Sequence, residues 1–154
     1  MINFSFEPRP EDASWSPDWR SEKPELIGGD FCLELFQADV HLVVHGVDLS
    51  VRLPGLPVVD FALLLEYAWK ALETQSDVAV ETSLTQHVYS FSREAETVAL
   101  TAEYPPRKTE LSWTELRELT DRAKSEAVRL ITTAHPELRD NAWLREKVGA
   151  PPDA

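Results

Sequence analysis

Residues 111–135 read LSWTELRELTDRAKSEAVRLITTAH, and the fold turns on them. Ser112 and Glu115 have the spacing of a capping box, in which the serine hydroxyl and the glutamate carboxylate each take an otherwise unsatisfied backbone N–H. Leu111 and Leu116 stand at the positions of a hydrophobic staple around it. A helix is therefore predicted from Ser112. Leu116, Leu119, Ala123, Ala127, Leu130, Ile131 and Ala134 recur at helical period, opposite Arg117, Glu118, Asp121, Arg122, Ser125 and Arg129, so one face is buried and the other wet. His135-Pro136 ends this helix. Pro136 can open another, running to about Val148, before Gly149 and a Pro151-Pro152 tail over 149–154.

A half-apolar helix of that length needs a surface to cover, and the residues upstream supply strands. Three are expected at Val78–Leu84, His87–Ser92 and Thr97–Tyr104, the last two joined by the charged turn Arg93-Glu94-Ala95-Glu96, which makes an antiparallel meander. Val58–Glu73 reads as a helix whose only polar residues past its start are Glu66, Lys70 and Glu73, one narrow stripe, so it is mostly buried. Pro54, Gly55 and Pro57 separate it from Val40–Leu53, where His41, Val43, His45, Val47, Leu49, Val51 and Leu53 alternate with other residues. Gly46 marks a turn or bulge midway, leaving open one bent strand or two short ones. Phe31–Gln37, after Gly28-Gly29, alternates as a strand, and Ile2–Phe6 as an N-terminal edge strand stopped by Pro8 and Pro10. Residues 7–25, with four prolines and two tryptophans, are irregular. The result is one α+β domain over 1–154: an antiparallel sheet of about five to six strands packed against one buried central helix and a C-terminal helical pair.

Composition fits this. The 154 residues are 43% hydrophobic and include five Trp, six Phe and three Tyr, enough for one core but not for two independent halves. The single cysteine, Cys32, has no internal disulfide partner, and no apolar run follows a basic N-terminal stretch, so a reducing cytoplasm is expected. The longest apolar run, Phe61–Leu65, falls far short of the roughly 20 residues a membrane span needs. A net charge of -12, without a Lys/Arg stripe interleaved with aromatics, opposes nucleic-acid binding. Ten Arg against five Lys, with only three Ile, hint at a GC-rich bacterial gene.

The charge is unevenly spread. Residues 1–104 hold 18 acidic side chains against 6 basic, whereas residues 105–154 balance 9 against 9. Solubility of a small domain needs a net charge of only roughly 2 to 8. An acidic, β-rich face that meets a basic partner is one reading of the excess, and a solvated surface is the other.

No dinucleotide fingerprint, P-loop, His-Glu-x-x-His, nucleophile elbow or Cys-x-x-Cys occurs, so no cofactor, metal or catalytic residue is assigned. His41 and His45, four apart on a strand, lie about 13 Å from each other at about 3.3 Å per residue, too far to share a metal ion. Cys32 lacks a basic neighbour to make it a nucleophile. The most site-like piece is Ser14-Trp15-Ser16-Pro17-Asp18-Trp19, because tryptophan is enriched at binding hot spots; the alternative is that both rings seal the core or cover a sheet edge. A partner face there would hold Trp15, Asp18, Trp19, Asp30, Glu34 and Asp39. His41, His87 and Tyr89 would line a pocket between the sheet and the central helix.

Length, acidity, α+β order and the lack of catalytic motifs together resemble the small immunity proteins that neutralise toxins in bacterial competition systems. Those proteins span several unrelated folds, so the resemblance carries over no residue. It implies a mode of action in which complementary charge speeds encounter with a basic toxin and a few aromatics supply affinity. The leading expectation is a non-enzymatic cytoplasmic protein-binding module of that kind. A small-molecule binder or enzyme using the His41/His87/Tyr89 pocket is the second, and an accessory subunit docked through the helix from Ser112 is the third. Oligomeric state is left open.

Overall fold

The capping box forms: Ser112 N donates to Glu115 Oε1 at 2.8 Å, and Glu115 N donates to Ser112 Oγ at 3.0 Å. In the computed structural model, which describes residues 1–83, 87–103 and 106–151 and only the backbone of Leu53 and Pro54, helix α2 then runs Trp113–Ala134. Leu111 and Leu116 are both buried, as a staple requires. Helix α1, Val58–Ala71, buries Val58, Val59, Phe61, Ala62, Leu64, Leu65 and Ala68 and leaves Glu66 and Lys70 on its polar stripe. That stripe is also a joint: Glu66 takes Lys70 Nζ at 2.8 Å on its own helix and Lys124 from α2.

The architecture is antiparallel α+β, as expected, with the strands divided between two four-stranded sheets. The first contains β1 (Ile2–Pro8), β2 (Gln37–Val44), β3 (Val47–Asp48) and β4 (Val51–Pro57), with β2 pairing β1 on one side and β3 and β4 on the other. The second is a meander of β5 (Asp77–Glu81), β6 (Val88–Glu94), β7 (Thr97–Ala102) and β8 (Arg107–Ser112) in sequence order. The expected strand ends at Leu84 and Tyr104 lie outside the described residues. Strand β8 was not expected, because Arg107, Lys108 and Glu110 mask the pattern in which only Thr109 and Leu111 turn inward.

Val40–Leu53 resolves into separate strands, not one bent strand. Val44 and Val47 face each other across a two-residue hairpin whose His45 and Gly46 both have positive φ, 48° and 85°, as the tightest hairpin turns require. The reversal also changes which side is inside: Val40, Leu42 and Val44 are buried before it and Leu49 and Val51 after it, while His41 is exposed.

Of the strand expected over Phe31–Gln37, only Gln37, the first residue of β2, is extended in a sheet. Asp30–Glu34 forms a π-type turn, and the buried positions are Phe31 and Phe36, five residues apart, with Leu33 48% exposed between them. Asp30 drives the departure, since its carboxylate takes the Ile27 N–H at 2.9 Å and closes the turn locally. The helix expected from Pro136 is likewise interrupted. A 3-10 turn over Pro136–Asp140 is followed by Asn141, whose side chain caps the short helix α3 (Ala142–Lys147) by accepting from Leu144 N at 2.8 Å.

One core runs through both sheets, and Phe61 of α1 sits at their junction. Its ring lies 6.0 Å from Phe4 and from Phe6 of the first sheet and 6.3 Å from Tyr89 of the second. The sheets are also joined directly. Tyr89 Oη donates to Leu49 O at 2.9 Å, Thr109 Oγ1 donates to Val44 O at 3.2 Å, and Arg107 donates to the Asp48 carbonyl. Among the described residues no helix is long and apolar enough to cross a membrane.

Candidate functional site

The two loop tryptophans are fastened down. Trp15 Nε1 donates to Gln37 O at 2.6 Å, and its ring lies 5.1 Å from Phe36. Trp19 lies 6.2 Å from Phe36 and 5.6 Å from the imidazole of His135, which is 1% exposed. Phe36 itself holds a left-handed φ of 60°, unusual for a bulky residue, and is kept there by ring packing and by donating its N–H to Ser14 Oγ at 2.9 Å. Asp12 completes the fastening by accepting from Ser14 N at 2.9 Å and Gln37 N at 2.7 Å.

The acidic members of the expected partner face are divided in the same way. Asp30 is 3% exposed; the Ile27 N–H, then the Lys23 ammonium, hold its carboxyl below the usual carboxylate range. Asp39 meets Arg9 Nη1 at 2.6 Å. Only Asp18 and Glu34 are exposed and without an ion pair among the described residues. Beside Trp19 an open groove of about 460 Å³ is lined by Arg20, Lys23, Glu25, His135, Glu137 and Asp140 among others. Both signs of charge line it, and His135 is held by donating Nε2–H to Ser14 O at 2.6 Å.

His41 does not meet the other two members of the expected pocket; His87 is half-buried just before β6, where its N–H donates to Thr82 Oγ1 at 3.1 Å. His41 is exposed on the outside of the first sheet, 3.5 Å from Arg52 Nη2. Tyr89 faces inward on the second, filling the space beside Phe61 with its hydroxyl engaged by Leu49. Burial, with Asp60 nearby, pushes the Cys32 thiol up to about 11, which keeps it protonated and poorly nucleophilic. Among the described residues no group of three His, Cys, Asp or Glu side chains is placed to hold a metal ion.

Acidic residues do gather elsewhere, on the outer face of the second sheet. Register fixes which residues share it: Asp77 lies opposite Ser92, Ala79 opposite Ser90, Ser90 opposite Thr101, Ser92 opposite Ala99, Thr101 opposite Lys108 and Ala99 opposite Glu110. The alternate residues Val78, Val80, Tyr89, Phe91, Val98, Leu100 and Leu111 are buried, so this set points outward. Its floor is small, Ala79, Ser90, Ser92, Ala99 and Thr101, and encloses a shallow trough of about 370 Å³. Asp77, Glu81, Glu94, Glu103 and Glu110 share the face, against Lys108 alone. None of the five carboxylates makes an ion pair among the described residues.

The missed signal was the polar half of each alternating strand. Within each strand small and acidic residues recur at alternate positions, odd in β5 and β7 and even in β6 and β8, so a shared face appears only when four strands are laid in register. The arrangement offers an electrostatic surface. No protein-family model matches the chain, and neither a curated protein sequence nor a solved structure matches it significantly.

Proposed function

We propose that this chain is a non-enzymatic protein-binding module whose partner is basic and docks on the outer face of the second sheet. The observation that carries the reading is the set of five carboxylates that share this face without an ion pair among the described residues, about a floor of small side chains whose trough Asp77 and Lys108 also line. A solvated sheet face ordinarily mixes signs, and a field of one sign accelerates encounter with an oppositely charged protein and selects against acidic ones. The small floor admits close approach of a partner surface. An immunity-type inhibitor of a basic toxin is the concrete form of this reading. A bacterial cytoplasm is its setting, as an unpaired Cys32 thiol suits a reducing compartment.

The test is capture from the chain's own host with three forms of the protein: wild type, Asp77→Asn/Glu81→Gln/Glu103→Gln/Glu110→Gln, and Asp18→Asn/Glu34→Gln. Wild type and the second variant are expected to retain one stoichiometric basic protein, and the fourfold variant to lose it. Retention by the fourfold variant, or recovery of no basic protein by any form, sinks the proposal.

A further inference from the structure

We propose that β5 is a strand-addition site, at which a basic β-segment of the partner extends the second sheet by one strand; this rests on the reading of the acidic face above. Strand β5 is terminal in its sheet. Ser76 O accepts from Arg93 N at 2.8 Å, and Thr82 N donates to His87 O at 2.9 Å. In this antiparallel register the even-numbered residues 76 to 82 spend their backbone groups on β6. Asp77, Ala79 and Glu81 therefore aim their N–H and C=O groups outward, and nothing among the described residues takes them.

Such an edge is a template for a further strand. The edge of the first sheet is treated differently, since Arg122 Nη2 reaches over β1 to Phe4 O at 3.4 Å. Beside β5 the structure has a cleft instead. It measures about 370 Å³ and lies between α1 and the strand, with Leu63, Tyr67 and Val80 in its lining. Tyr67 is 62% exposed there, a large aromatic with little of its surface covered.

Charge decides the occupant. A second copy pairing β5 on β5 about Ala79 would set Asp77 opposite Glu81 of its twin at both ends, and like charges directly opposite destabilise a sheet. A segment with Lys or Arg at positions i and i+4, about 13 Å apart at about 3.3 Å per residue, sets a cation opposite each acid. Its residue i+2 lies opposite Ala79 and must be small. Residues i+1 and i+3 turn to the inner side, where apolar chains fill the cleft against Leu63 and Tyr67.

The probe is a short synthetic peptide with the core Lys-Val-Ser-Val-Lys, titrated into isotope-labelled protein. A glutamate-for-lysine peptide and a peptide N-methylated at the core Ser and the second Lys serve as controls. The lysine peptide is expected to protect the Asp77, Ala79 and Glu81 amides from exchange. N-methylation, Ala79→Pro or Tyr67→Ala should each weaken binding about ten-fold, the effect of about 1.4 kcal/mol. Ala79→Pro removes only an outward N–H, and unchanged β6 and β7 amide spectra certify its fold. Equal binding of the N-methylated peptide, no protection at β5, no binding, or a β5-paired dimer overturns strand addition. If a lysine peptide binds without protecting β5 but fails on the fourfold acidic-face variant, strand addition falls and the acidic-face reading stands. If no basic peptide binds and host capture also fails, both fall.

Discussion

On the outside of the first sheet Asp39 meets Arg9 at 2.6 Å and Asp48 meets Arg52 at 3.3 Å, while on the outside of the second Glu81, Glu94, Glu103 and Glu110 meet no cation among the described residues. Both faces belong to antiparallel sheets that bury their other side in the same core. A surplus of carboxylates becomes a field only where the fold withholds partners from them. Around the first sheet several acids are parts of the structure: Asp12 ties a loop, Asp30 closes a turn and Asp48 holds a corner, although Glu7, opposite Asp39, has no ion pair among the described residues. On the second sheet Asp77 accepts only the neighbouring Ser76 hydroxyl at 3.0 Å, and Glu81, Glu94, Glu103 and Glu110 carry no such duty among the described residues.

The comparison presupposes a common inner layer, and Phe61→Ala attacks it most directly. Loss of a ring that touches Phe4, Phe6 and Tyr89 should cost about 3 to 5 kcal/mol and loosen both sheets together in urea denaturation followed by amide exchange. One sheet melting ahead of the other would contradict a shared layer. Asp12→Ala should come next, at about 1 to 2 kcal/mol, because it removes a cap and the bond to Gln37 N.

Asp48 gives the comparison a pH axis. The Ser50 hydroxyl and N–H, then Arg52, hold its carboxyl down to about 2, below the unfolded value near 3.9. A depressed folded pKa gives stability that is present above about pH 4 and lost as pH falls toward 2. With the side chain 45% exposed, screening limits this to on the order of 1 kcal/mol. Asp48→Asn should therefore lose less stability than wild type between pH 4 and 2, measured by thermal melts. Smallest of all, Glu103→Gln and Glu110→Gln should each change stability by less than about 0.5 kcal/mol in the same melts. A larger loss would mean that the second face is structural after all.

Much of the fold was legible because its signals are local. Ser112 and Glu115 announce a helix whatever lies around them, and the narrow stripe of Glu66 and Lys70 identifies α1 as buried. Phe31–Gln37 misled because alternation and an i,i+5 turn both place large apolar residues at plausible positions, and a carboxylate at Asp30 chose between them. Strand β8 was hidden by its own polar face. The expected partner face around Trp15 and Trp19 joined residues that are close in sequence, yet most of them fasten the loop to the sheet. His41, His87 and Tyr89 were grouped as if they faced one space, but His41 stands on the outer side of β2 in the first sheet while Tyr89 faces inward in the second.

Spacing and composition alone specified the α+β class, most of the strands, helices α1 and α2 with their apolar sides, and a negative charge concentrated before residue 105. Both act within a few residues. Only the tertiary structure decided which carboxylates are neutralised and which are left together, because an ion pair depends on distance in space. Arg9 and Asp39 are 30 residues apart and touch, whereas Asp77 and Glu110 lie 33 residues apart on one sheet face with no cation paired to either among the described residues.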